Sequence, residues 1–347
     1  MIIEATIMKV QKSIDEEQAA TVEEHFQALI DDDSSIDDKI EKSSYENLPE
    51  WYNEELFKAG QCYYRRNLLS MAVVSILGVL SVIIIPTILR VLVWTKKSGT
   101  TCTAFKRYLE TIIHIHSLYT ADINNPNSRW WKSLNEIKLK HATNSRRSGE
   151  SGPGGIYQRD MALTQFGFIG YALLVPDKLG LTNLKHERNG LNHFWRVVGY
   201  MLGISNKLNI CRKDEIETTA LCRLLQDKIY AKHMNDEPEK FNEMALALLG
   251  GLWYIDLTID ADCILYFWYE ISGLKYAKPL GIYSQINYKY RKFVVYLLET
   301  PIIGFFIREY FNYYLSFCYW LAEVFPIFAK LRFGNVHSKI HLYTYSK

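Results

Sequence analysis

Apolar residues recur along most of the chain at spacings of three and four, the period of a helix with one buried face, and few stretches alternate as strands do. The pattern predicts an all-α protein, and the length allows one large helical domain or two modest ones. In one predicted helix, Arg107, Thr111, His114 and Leu118 share a face, with His116 about 200° away from His114. A second, from Trp130 to about Ser145, carries Trp130, Leu134, Ile137 and His141 on one side, and Lys132, Asn135, Glu136, Lys140, Asn144 and Arg147 on the other. The stretch NNPNSR (124–129) reads as the turn between them. RRSGESGPGGIY (146–157) reads as a mobile Gly-rich linker or lid; no Gly-Lys-Ser/Thr follows and no strand precedes, so it is not a phosphate loop.

Leu68 to Leu89 is a run of 22 residues without a charge, flanked by Arg65, Arg66, Arg90, Lys96 and Lys97. Length and hydropathy fit a transmembrane helix, and the small residues Ser70, Ala72, Ser75, Gly78 and Ser81 fit equally a helix buried in a large core. A second apolar stretch, Pro301–Phe328, is interrupted by Arg308 and Glu309, and its aromatics suit a membrane interface. The opposite character holds at the start, where DDDSSIDDKIEK gives residues 1–50 the composition of a flexible acidic tail, with a short helix around Glu16–Ile30. The expected organisation is a tail over 1–50, a catalytic domain over 51–290 and apolar, aromatic-rich helices over 291–347.

Composition sharpens this in two respects. Hydrophobic residues make up 48% of the 347 and aromatics 14%, weighting the chain towards buried apolar surface or membrane contact. The net charge of +2 gives no field for nucleic acid or an acidic substrate. The six cysteines have no metal-ligand spacing and read as reduced thiols. No signal peptide opens the sequence and no Asn-x-Ser/Thr acceptor occurs, so the bulk of the chain is expected to meet cytosol.

Candidate chemistry centres on histidine. On the apolar stripe of its helix, the imidazole of His141 needs a hydrogen-bond partner or a metal. A lone histidine on such a face is more often a satisfied core residue, and no His-Glu-x-x-His motif points to zinc.

Four segments change that weighting. FKRYLET, LNEIKLKHATNSR, YQRDMALTQFGFIGYALL and NHFWRVVGYMLGI resemble, in order and spacing, the catalytic domain shared by latex-clearing rubber oxygenases and the membrane-bound oxygenase MpaB, over roughly Leu56 to Tyr290. The resemblance implies haem b inside an all-helical domain, with His141 as the axial ligand of the iron. It implies that Arg107 and Thr111 line the haem pocket, as a propionate or oxyanion partner and as a hydroxyl donor for oxygen. The substrate it implies is apolar, isoprenoid- or lipid-like, with dioxygen as co-substrate. Two positions depart from the family pattern. Glu110 stands where the rubber oxygenases carry a lysine proposed as the catalytic base and is expected to serve as that base if buried; Lys138 stands where they carry an arginine and is expected in the haem-binding set. Two other readings stay open: an integral membrane protein without catalytic activity, and a haem-binding carrier or sensor that no longer turns over.

Overall fold

Among the described residues, five helices begin where a side chain takes an unpaired backbone N–H. The computed structural model describes residues 17–36, 41–182 and 184–344. Thr21 and Glu24 form a reciprocal capping box at the start of α1 (Val22–Asp31). Asn53 caps α2 (Glu54–Arg66), and α3 (Leu68–Ile83) follows after the single residue Asn67. Pro86 opens α4 (Pro86–Trp94), Thr100 caps α5 (Thr101–Thr120), and α6 is Arg129–Ser151. Then come α7 (Gln158–Leu174), α8 (Lys185–Met201) and α9 (Glu215–Leu225), the last continued through a π turn at Gln226–Tyr230. The chain ends with α10 (Phe241–Leu252), α11 (Ala261–Ile271), α12 (Ile282–Glu299), α13 (Pro301–Val324) and α14 (Ile327–Ser338). Among the described residues there is no strand, only one isolated bridge between Ser35 and Tyr157.

The closest helix pairs are α2 with α8, α3 with α7 and α10 with α5. Glycine permits the first two. A Cβ on Gly78 would overlap the carbonyl oxygen of Gly167, and one on Gly60 would lie 2.5 Å from that of Gly190. One continuous core results, with Trp130, Trp268, Phe57, Phe166 and Phe194 among its fully buried side chains.

Four expectations are corrected. The uncharged run Leu68–Leu89 is not one helix: Pro86 supplies no N–H, Ile85 adopts φ −74°, ψ 121°, and α3 stops at Ile83. Its 16 residues reach about 24 Å, short of the roughly 30 Å of a hydrocarbon core. Among the described residues no single helix is long and apolar enough to cross a membrane. The Gly-rich lid is in large part helix, because α6 runs on to Ser151. The tail is docked over part of its length: His25 and Leu29 of α1 are fully buried against α9 and α7, and His25 Nδ1 lies 2.9 Å from Arg212 Nη1. Of the rest of the expected tail, residues 1–16 and 37–40 lie outside the described residues. Finally, the boundary expected at 290/291 falls inside α12, and α13 packs on α2, α3 and α5 as part of the same body.

Candidate functional site

Helices α3 to α8 enclose a cavity of about 540 Å³, within the range of small-molecule and cofactor sites. Apolar side chains from α3, α4 and α7, among them Val82, Ile83, Ile88, Val91 and Phe168, make much of its wall. Its polar residues come mainly from the facing sides of α5 and α6, the pair singled out by helical phase. Arg107, Glu110, Thr111, His114, Lys140 and His141 all line it.

His141 makes the least committed contact of these. It is half-buried, lines the cavity, and its Nδ1 is buried without a hydrogen-bond partner. Leaving such an atom unsatisfied costs about 1–3 kcal/mol. Burial, followed by the charges of Arg107 and Lys140, pushes its pKa down to about 4, so the imidazole is neutral at pH 7. His114 is different. It is almost inaccessible, its Nδ1 lies 3.1 Å from Ser133 Oγ, and the C-terminal segment covers it, with the Tyr343 ring edge-on at 5.7 Å. Its Nε2 is also buried without a partner, so neither the orphaned nitrogen nor a place on the cavity wall separates the two; exposure and the tether to Ser133 do. His116 points elsewhere, 3.1 Å from Tyr64 Oη and edge-on to Tyr319.

The guanidinium of Arg107 makes one long hydrogen bond, to Thr95 Oγ1 at 3.4 Å, and faces no carboxylate within ion-pair distance among the described residues. With Lys97 and Lys106, which also line the cavity, it gives one part of the wall a positive charge suited to an anionic group. The Thr111 hydroxyl donates to the carbonyl of Arg107, one turn back, at 3.0 Å, so its lone pairs are what it offers the cavity.

Two assignments from the sequence do not fit a direct role. Lys138 does not line the cavity; its Nζ reaches Ser43 Oγ at 2.6 Å, in the segment before α2. Glu110 does line it, but Oε2 accepts from Lys140 Nζ at 3.0 Å, which ties the carboxylate to the neighbouring helix. Sequence reasoning missed the more suitable carboxyl, Asp160. This group lies in the first turn of α7, is 3% exposed, lines the cavity and accepts from Thr87 Oγ1 at 2.8 Å. Burial raises its pKa although Thr87 and the nearby Arg159 and Arg90 lower it. Its signal was present in YQRDMALTQF, where a lone acid opens an otherwise apolar helix.

Among the described residues no three His, Cys, Asp or Glu side chains converge as metal ligands. A metal in this cavity would hang on one imidazole and bring its remaining ligands with it. No protein-family model matches the chain, and no curated protein matches it. Among solved structures the chain is similar to "Latex Clearing Protein LCP in the closed state", with 15% identity, a TM-score of 0.57, and coverage of 78% of this chain and 76% of that one. At this identity the likeness is one of fold: an all-α architecture shared over three quarters of both chains.

Proposed function

We propose that the protein is a haem-b-dependent oxygenase acting with dioxygen on an apolar, isoprenoid- or lipid-like substrate. The observation that carries this is a neutral, partnerless imidazole, His141, in a large apolar cavity that also holds the free face of Arg107, in a chain whose fold is similar to the latex clearing protein. The residues fit the group. His141 would hold the iron, and Arg107, with Lys97 and Lys106, would hold the propionates by charge. When bound, haem supplies the redox chemistry of dioxygen. The protein's own part is to orient and to exclude water: Val82, Ile83, Ile88 and Phe168 keep the space dry for an apolar chain, and Thr111 offers lone pairs at its wall.

Proton handling belongs to Asp160 in this reading. Burial raises its pKa, which favours its holding a proton at the cavity wall, whereas Glu110 is held by Lys140. The test is oxygen uptake with a polyprenyl or unsaturated lipid substrate. Wild type and Glu110→Gln should turn over within about threefold of each other, and Asp160→Asn should lose about a hundredfold in kcat. A hundredfold loss in Glu110→Gln with Asp160→Asn unaffected would return the role to Glu110. A Soret band with no uptake on any such substrate would favour the carrier reading.

A further inference from the structure

The main cavity uses only the end of the uncharged helix α3. Three cavities in fact follow one another along this helix. Leu69, Ser70 and Val73 line an outer groove of about 210 Å³, Ala72, Ser75, Ile76 and Val79 an inner pocket of about 70 Å³, and Val79, Val82 and Ile83 the main cavity. From Leu69 to Ile83 the helix rises about 21 Å. The inner pocket shares Thr111, Tyr108, Ile115 and Phe168 with the main cavity. Asp256 borders both the inner pocket and the groove, where its Oδ1 accepts from Tyr314 Oη at 3.1 Å and from Thr258 Oγ1 at 2.9 Å.

The outer groove is closed on its far side by apolar residues of α11 and α12, such as Phe267, Val294 and Leu298, and by Phe311 of α13. Its charged lining is Lys178, Arg291 and Lys292 against the single acid Asp256. Lys178 and Lys292 are exposed there. Lys292 lies 3.4 Å from Glu270 and 5.4 Å from the centre of the Tyr288 ring, and Arg291 is engaged with Thr258 O at 2.8 Å. A narrow run of apolar lining with exposed lysines at the surface matches a hydrocarbon tail ending in a negative charge.

We infer that the outer groove and inner pocket form one binding site for a single-chain anionic amphiphile, a free fatty carboxylate in chemical class. Its head lies at Lys178 and Lys292 and its chain runs inward along α3 towards Thr111. The site stands apart from the haem reading, because neither space is lined by His141.

The test is a fluorescence titration of the purified full-length protein with cis-parinaric acid, a fluorescent polyene fatty acid, kept below its aggregation concentration, and with its methyl ester. The acid should bind more tightly than the ester by about two- to fivefold, the range of an exposed ion pair. Lys178→Glu, on the surface and neutral to folding, should abolish or invert that preference. Val73→Trp, which fills the groove, should weaken acid binding by at least about tenfold, and Ile137→Trp, in the main cavity, should leave it unchanged. Equal affinity for acid and ester, or an unchanged preference in Lys178→Glu, overturns the inference. So does loss of binding in Ile137→Trp with none in Val73→Trp. Should Val73→Trp fail to fold by circular dichroism, the Lys178→Glu arm decides alone.

Discussion

At the scale of single residues, helical phase was informative because α5 and α6 are regular. Counting by threes and fours placed Arg107, Thr111, His114 and His141 towards one interior, and all four line the cavity. Phase cannot report what a long side chain does at its tip. Lys138 is drawn to Ser43, 95 positions away in sequence, and Glu110 to Lys140 on the neighbouring helix; both are tertiary choices without a local signature. Nor does phase report how a ring is held, which is what separates His114, tethered to Ser133 under Tyr343, from His141. One consequence is modest. The Glu110–Lys140 pair is 26% and 35% exposed, so Glu110→Gln should cost less than about 1 kcal/mol in urea unfolding. A loss of several kcal/mol would show the pair to be structural.

At the scale of elements, most helices were legible and their ends were not. The apolar run Leu68–Leu89 has the hydropathy of a span, and its break rests on Pro86 and on Ile85, which a proline biases away from helix. Its lack of charge follows instead from packing on α7 and from the cavities along it. Gly78→Ala therefore meets backbone, not a yielding side chain, and should destabilise by about 1–3 kcal/mol or more, with Tm falling accordingly. A neutral outcome would mean that α3 and α7 can separate freely. The docking of α1 was hidden by the acidic composition around it. Its fully buried anchors are His25 and Leu29, beside the partly buried Val22, Phe26 and Ile30, and Leu29→Ala should cost about 2–5 kcal/mol by the same measurement if α1 belongs to the cooperative unit. A cost near zero would return α1 to the flexible tail.

At the scale of the whole molecule, the fold keeps several histidines neutral inside. Burial chiefly pushes His25 and His116 down to about 4 and His193 to about 3, and His193 Nε2 accepts from the backbone N–H of Asn53 at 2.9 Å. Below the ordinary histidine value near 6.5 the unfolded chain binds protons that the folded chain refuses. Stability should thus be flat above pH 7 and fall between about pH 6.5 and 4, on the order of 1 kcal/mol per pH unit for each such histidine. Urea midpoints at pH 7.5 and 5 that coincide would contradict this. The same interior defines the central claim, that one imidazole in an apolar cavity holds haem. The most direct measurement is the absorption spectrum of the purified protein beside those of His141→Ala and His114→Ala. The account predicts a Soret band in the wild type, its loss in His141→Ala with helical content kept, and its survival in His114→Ala. A band that survives His141→Ala and vanishes in His114→Ala would contradict it.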